Sequence, residues 1–262
     1  MITLLHIYGP IAIQTYGTMI ALGILTGLFL IKRDKPLLSV ISLDKILNLT
    51  SLVIASGVIG ARALYLAEHG ASSLLEVIAV WDGGLSVFGA TLVNLIVIPA
   101  YLYRNNIPIM FVLDRIAIYV PLVHAIARLG CFFAGCCYGK PATNWLSYTY
   151  TNPDSLAPLN TPLIPTQLLS ALGLCIIFTV LYALKNHKCN GSGYLFGSFL
   201  WATGFLRLLI DTHRAGHNPI FLMFSHNQLI AYCIMTVGMI IRNKAFRKKK
   251  TNEKTVTSSN LS

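Results

Sequence analysis

Charge is what this sequence has least of. Of 262 residues, nine are Asp or Glu and twenty are Lys or Arg, together 11%. Soluble domains carry about 25% charged residues. The scarcity excludes a soluble globular protein as the default reading, and the 55% hydrophobic content excludes a disordered chain. The net charge of +11 would suggest a nucleic-acid partner, but a mean hydropathy of +0.66 argues against one. No phosphate-binding G-x-x-x-x-G-K-[ST], no G-x-S-x-G and no H-E-x-x-H occurs. Residues 1–10 contain no Lys or Arg, so the basic start of a cleavable signal peptide is missing.

What the chain does have is long apolar runs. A bilayer core takes about 20 predominantly apolar residues per helix. Seven stretches qualify: 11–31, 46–67, 85–103, 111–130, 166–184, 193–211 and 226–241. Their apolar runs are continuous rather than alternating, which excludes a β-barrel. The expected fold is therefore all-α, a polytopic membrane protein with about seven transmembrane helices. Residues 1–243 would form the membrane domain, with a Pro-rich extracytoplasmic loop at 138–165. Residues 244–262 read as a basic, disordered cytoplasmic tail lying on anionic lipid.

The basic residues set the orientation. Lys32, Arg33, Lys35, Lys45, Arg104, Lys185, Lys188 and the tail residues from Arg242 to Lys254 fall on one side, fourteen in all. Only Lys140 and Arg214 fall on the other. The positive-inside rule then puts the N-terminus outside and the C-terminus in the cytoplasm.

Four arginines remain, Arg62, Arg115, Arg128 and Arg207, and all lie within or at the ends of spans, as do Asp114 and Asp211. An ion at mid-membrane costs about 2.5–3.5 kcal/mol on insertion scales and marks a functional site by default. Arg207 and Asp211 share a helix face at i and i+4. Asp114 and Arg115, near a span end, read as a structural ion bridge. Arg62, Arg128 and Arg207 outnumber the available carboxylates, so they call for an outside anion. In a membrane that anion is a lipid phosphate, which suits the guanidinium fork. His124 lies one turn before Arg128 and reads either as a base or as a packed core residue.

Six cysteines are present, and Cys131, Cys136 and Cys137 cluster. No second Cys or His pair follows closely, so no metal site is expected; no cofactor is expected either. A disulfide from Cys131 to Cys136 or Cys137 and plain packing are the remaining readings. Gly83 and Gly84 open the third span and allow a tight turn whose amides meet a phosphate. Gly130, Gly135 and Gly139 permit close helix approach.

Taken in order, these pieces resemble the prolipoprotein diacylglyceryl transferase family. The matching segments are Gln14-Thr15-Tyr16-Gly17, Gly60-Ala61-Arg62-Ala63-Leu64-Tyr65, Trp81 through Ala90, Asp114, Arg128-Leu129-Gly130 through Gly139-Lys140, Pro165-Thr166-Gln167-Leu168, Gly193 to Asp211, and Gln228. The resemblance implies a bacterial inner-membrane enzyme. It would move diacylglyceryl from phosphatidylglycerol to the lipobox cysteine of a prelipoprotein signal peptide, releasing glycerol phosphate. It implies headgroup binding and leaving-group stabilisation by Arg128 and Arg207, with Asp211 in place of a partnering Glu. Tyr16, Arg62, Gly83, Gly84, Gly139 and Gln228 match substrate-binding positions.

The chain departs from the family pattern at a loop His (here Phe88), a signature Asn (Cys131), a Glu (Cys136) and a helical Tyr (Thr203). Leu169 and Ser170 replace an aromatic and an acid. His124 or a thiolate of the cluster would then serve as the base. Two other readings stand beside this one: a paralogue using the same lipid donor with another acceptor, and a non-catalytic phospholipid-binding or transport protein.

Overall fold

The structure, a computed structural model, describes residues 3–8, 11–70, 84, 86–186, 191–215, 219–221 and 224–259. It is mostly helical, with three small two-stranded antiparallel hairpins. The chain divides into two compact units, Asp34–Val112 and Met1–Arg33 with Leu113–Ser262.

The smaller unit holds α2 (Lys35–Leu38), α3 (Leu43–His69) and α4 (Val87–Arg104). Asp34 and Ser42 cap α2 and α3, their side chains accepting from the amides of Leu37 and Lys45. Helices α3 and α4 cross at Gly60 and Gly89; a Cβ on Gly60 would stand 2.7 Å from the Gly89 carbonyl oxygen. Small residues at such a crossing let apolar helices touch backbone to backbone. Between the same helices, Ser56 Oγ donates to Asn94 Oδ1 at 2.9 Å, and Asn94 Nδ2 donates to the Val53 carbonyl at 3.3 Å.

The larger unit begins with the hairpin β1 (Thr3–Tyr8) and β2 (Ile11–Gln14), followed by α1 (Thr15–Ile31). It continues with α5 (Ile109–Ala134), β3 (Tyr148–Thr149), β4 (Pro162–Leu163), α6 (Thr166–Ala183) and α7 (Tyr194–Asp211). The last elements are β5 (Pro219–Phe221), β6 (Phe224–Ser225) and α8 (His226–Ser259). Gly23 and Gly27 seat α1 against Val123 of α5, and Gly197, Gly204 and Gly238 bring α7 against α8.

Asp114 and Arg115 each reach a backbone group at a helix end. Asp114 is fully buried, and its carboxylate accepts from the amides of Gly191 and Gly193 at 2.8 and 2.9 Å and of Phe196 at 2.8 Å. An anion thereby covers the orphan amides at the N-terminus of α7, where the helix dipole favours negative charge. Arg115 Nη1 donates to the Lys185 carbonyl at 2.7 Å, just past the end of α6, where the dipole favours a cation. Two adjacent residues of α5 thus clamp opposite ends of two neighbouring helices. Each of the two charges thus serves a helix end.

Each of the seven expected apolar stretches contains a helix. Among the described residues, four helices are long and apolar enough to cross a membrane: Leu43–His69, Ile109–Ala134, Thr166–Asn186 and Asn227–Arg247. Thr15–Ile31 and Phe88–Arg104 are shorter apolar helices. The outer faces carry large exposed apolar side chains, with Ile59 at 68% and Ile96 at 73%. Water would penalise such faces, whereas lipid would not.

Two boundaries differ from the sequence expectation. Residues 11–14 form strand β2, because β-branched Ile11 and Ile13 pair with β1, and the helix starts at Thr15. Helix α8 continues through the basic segment to Ser259, where low hydrophobicity suggested disorder. No Gly or Pro follows Gly238, so nothing in the backbone chemistry stops the helix there.

Candidate active site

Helix α5 carries Arg128 and helix α7 carries Arg207; the chain just past α7 carries Arg214. These three arginines line one small, partly open cavity, together with Cys137, Gln167 and Ser170. An adjoining, more open cavity shares Arg128, Ser170 and Arg207 and adds His124 and Thr203. Arg128 Nε is a buried donor without an acceptor among the described residues. A buried unsatisfied donor costs about 1–3 kcal/mol, so Arg128 Nε is short of an acceptor. Asp211 is buried, one turn beyond Arg207 on the same helix face.

The segment after α5 forms the cavity's other wall. Gly135 at φ 70° and Cys137 at φ 60° turn the chain sharply. The turn is tied to α6: Thr166 Oγ1 donates to the Cys137 carbonyl and Gln167 Nε2 to the Cys136 carbonyl, both at 2.7 Å. It is tied beyond α7 as well, since the Lys140 amide donates to the His213 carbonyl at 2.8 Å and the Ala215 amide to the Tyr138 carbonyl at 3.1 Å. Gly139 sits between these two connections. A Cβ there would stand 2.7 Å from the Ile164 carbonyl and 2.8 Å from that of His213. Its role on this geometry is close backbone packing.

This folding brings the sulfurs of Cys131, Cys136 and Cys137 within 4.8 Å of one another. The five described cysteines are free thiols, so the disulfide reading is not realised. Arg214 Nη2 donates to Cys137 Sγ at 3.2 Å. Hydrogen bonds from the Cys131 and Cys136 thiols, with the charge of Arg214 added, hold the Cys137 thiol below the ordinary thiol range. Hydrogen bonds with the Cys131 and Cys137 thiols, with burial added, push the Cys136 thiol up. Farther along the loop, burial pushes Tyr150 up to about 12. Its hydroxyl donates to the Phe132 carbonyl at 3.1 Å and accepts from Gln167 Nε2 at 3.3 Å.

Of the residues singled out in the sequence, His124, Arg128 and Arg207 come together at the adjoining cavities. Tyr16 lies in the first turn of α1, where Gly130 lets its backbone approach α5; a Cβ on Gly130 would stand 3.3 Å from the Tyr16 carbonyl. Gln228 is buried in the first turn of α8. Arg62 and Gly84 belong to the smaller unit, where Arg62 Nη1 donates to the Gly84 carbonyl at 3.2 Å and the guanidinium lies over the Tyr65 ring. Gly84 has φ 67°. Gly83 lies outside the described residues. Sequence reasoning gave Arg214, Gln167 and Ser170 no place at the site, whereas it had offered a thiolate of the cysteine cluster as a base, and Cys137 lines the cavity. One signal was available for Arg214: it is one of only two basic residues assigned to the sparsely charged side.

Residues 2–243 match the family model described as prolipoprotein diacylglyceryl transferase. The chain belongs to that family. A Clostridium tetani phosphatidylglycerol–prolipoprotein diacylglyceryl transferase is 31% identical over 251 residues, covering 94% of this chain and 96% of the relative. A second such transferase from Clostridium perfringens is 29% identical, covering 97% and 99%. A Dehalococcoides mccartyi relative of the same name is 28% identical over 94% of each chain. Placed on this family member's structure, the signature segment Arg128 to Lys140 is the end of α5 plus the sharp turn that carries the thiols. The Pro165-Thr166-Gln167-Leu168 element is the helix start that holds the turn's carbonyls.

Proposed function

We propose that this chain transfers diacylglyceryl from phosphatidylglycerol to the lipobox cysteine thiol of prelipoproteins, releasing glycerol phosphate. The observation that carries the reading is the convergence of Arg128, Arg207 and Arg214 on one cavity. The donor is a phosphodiester anion and the leaving group a phosphate monoester, so negative charge grows as the glyceryl C–O bond breaks. Guanidiniums fixed beforehand around that position stabilise the transition state more than the ground state. Arg128 Nε supplies a donor still in want of an acceptor. His124, at the adjoining cavity, takes the proton of the acceptor thiol.

The membrane arrangement follows the charge asymmetry. Seven spans with the N-terminus outside place Lys140, Arg214 and the thiol turn on the extracytoplasmic side of a bacterial inner membrane, and the basic tail against anionic cytoplasmic lipid.

The test is rescue. Expressed in a strain depleted of its own prelipoprotein transferase, the chain restores growth and lipoprotein modification. A membrane-inserted chain that fails to rescue, yet consumes phosphatidylglycerol in lipid profiles, would point to another acceptor. Thr203, Cys131 and Cys136, where the family pattern has Tyr, Asn and Glu, favour that second reading.

A further inference from the structure

The transfer chemistry above accounts for the arginines but leaves three sulfurs converging beside them. Cys131 is buried at the end of α5, and Cys136 and Cys137 follow on the turn. Their sulfurs lie within 4.8 Å of one another. Two thiolates on a tetrahedral zinc ion, with Zn–S of about 2.3 Å, stand about 3.8 Å apart, so modest side-chain rotation closes this trio on one metal. The turn is held by bonds to the Cys136 and Cys137 carbonyls at 2.7 Å, which fix two of the ligands' backbones independently of any metal. Arg214 Nη2, 3.2 Å from Cys137 Sγ, is placed as the outer partner that a metal-bound thiolate keeps.

We propose that Cys131, Cys136 and Cys137 bind a thiophilic divalent ion of the zinc class, with its fourth position open to the arginine cavity for the acceptor thiol. The inference rests on the diacylglyceryl-transfer reading. Three protein ligands and one exchangeable position are the pattern of a catalytic rather than a structural zinc site. Cys137 lines the cavity, so the open position faces the donor phosphate. Charge agrees as well. Three thiolates around a divalent ion leave one net negative charge and a fourth thiolate leaves two, beside three guanidiniums.

The step balances. The acceptor thiol binds through sulfur and loses its proton to His124 or water. Its sulfur forms a bond to the glyceryl carbon, while the carbon–oxygen bond to phosphate breaks. The bonding pair leaves on the glycerol phosphate between the arginines. The product sulfur is then a neutral thioether, a poor zinc ligand, and it exchanges for the next thiol. A metal-bound thiolate at neutral pH removes the need for a strong base, which this chain lacks where Phe88 stands.

The experiment uses the full chain, purified in detergent under reducing conditions and loaded with Co²⁺. Wild-type protein is expected to bind one ion per chain, with thiolate-to-cobalt charge-transfer absorption and tetrahedral ligand-field bands. Cys131→Ser, Cys136→Ser and Cys137→Ser each weaken binding at least tenfold, while Cys175→Ser and Cys233→Ser bind as wild type. A lipobox peptide shifts the ligand-field bands, and the same peptide with Ser for its Cys does not. Wild-type protein without thiolate–cobalt absorption overturns the site, whatever the variants do. Absorption without a peptide-induced shift overturns the open position. A normal spectrum and shift without diacylglyceryl transfer would uphold the metal site and count against the transferase reading alone.

Discussion

Arg214 Nη2 lies 3.2 Å from Cys137 Sγ, across 77 positions of sequence. One residue comes from the turn after α5, the other from the chain leaving α7, and backbone bonds at Lys140 and Ala215 hold the two segments together. The contact joins the thiol cluster to the arginine cavity. Arg214→Ala is therefore expected to lower transfer by roughly tenfold or more, and Arg214→Lys to recover only part, because a point charge does not reproduce the guanidinium fork.

Arg128→Ala and Arg207→Ala are expected to abolish rescue and to reduce transfer in purified enzyme by about 10²–10³-fold, the loss typical of removing one preorganised transition-state donor. The measurement is initial rate at saturating lipid. A wild-type rate in either variant removes that arginine from the site.

His124→Gln keeps the side-chain volume but not the proton acceptor. A loss of about 10²-fold or more in transfer is expected. An unchanged rate would show that the proton leaves by another route, such as direct release from a metal-bound thiol to water.

Asp114→Ala leaves three amides, at and just before the start of α7, without their acceptor. Stability should fall by about 2–5 kcal/mol, and Asp114→Asn by less. Thermal unfolding in detergent reads the loss. The rate per folded molecule should hold for Asp114→Asn, since the carboxylate's contacts are with the helix end.

Tyr150 titrates near 12 because its hydroxyl is buried. Its acidity is weaker in the folded protein than in the unfolded chain, where tyrosine titrates at about 10. The loop is therefore fully stable below pH 10 and loses stability as pH rises from about 10 toward 12. Melting temperatures across that range should fall for the wild type and less steeply for Tyr150→Phe.

The positions of the helices were legible because membrane insertion leaves a long apolar signature and the family's segments recur in order along the chain. The N-terminal boundary was not, because a run such as Ile11-Ala12-Ile13 is apolar in either a strand or a helix. Asp114 and Arg115 were visible as misplaced ions, yet their partners are backbone groups of α7 and the end of α6, which no side-chain pattern advertises.

By itself, the sequence determined the apolar helices and the presence of Arg128, Arg207 and His124 on apolar segments. Those follow from the cost of polar groups in hydrocarbon, which acts locally on each segment. Only the tertiary structure decided that Arg214 joins the other two arginines and that three cysteines point their sulfurs at one place. The reason is that these groups are brought together by backbone bonds between distant turns, at Gly139, Lys140 and Ala215, and such bonds depend on closure of the chain rather than on side-chain identity.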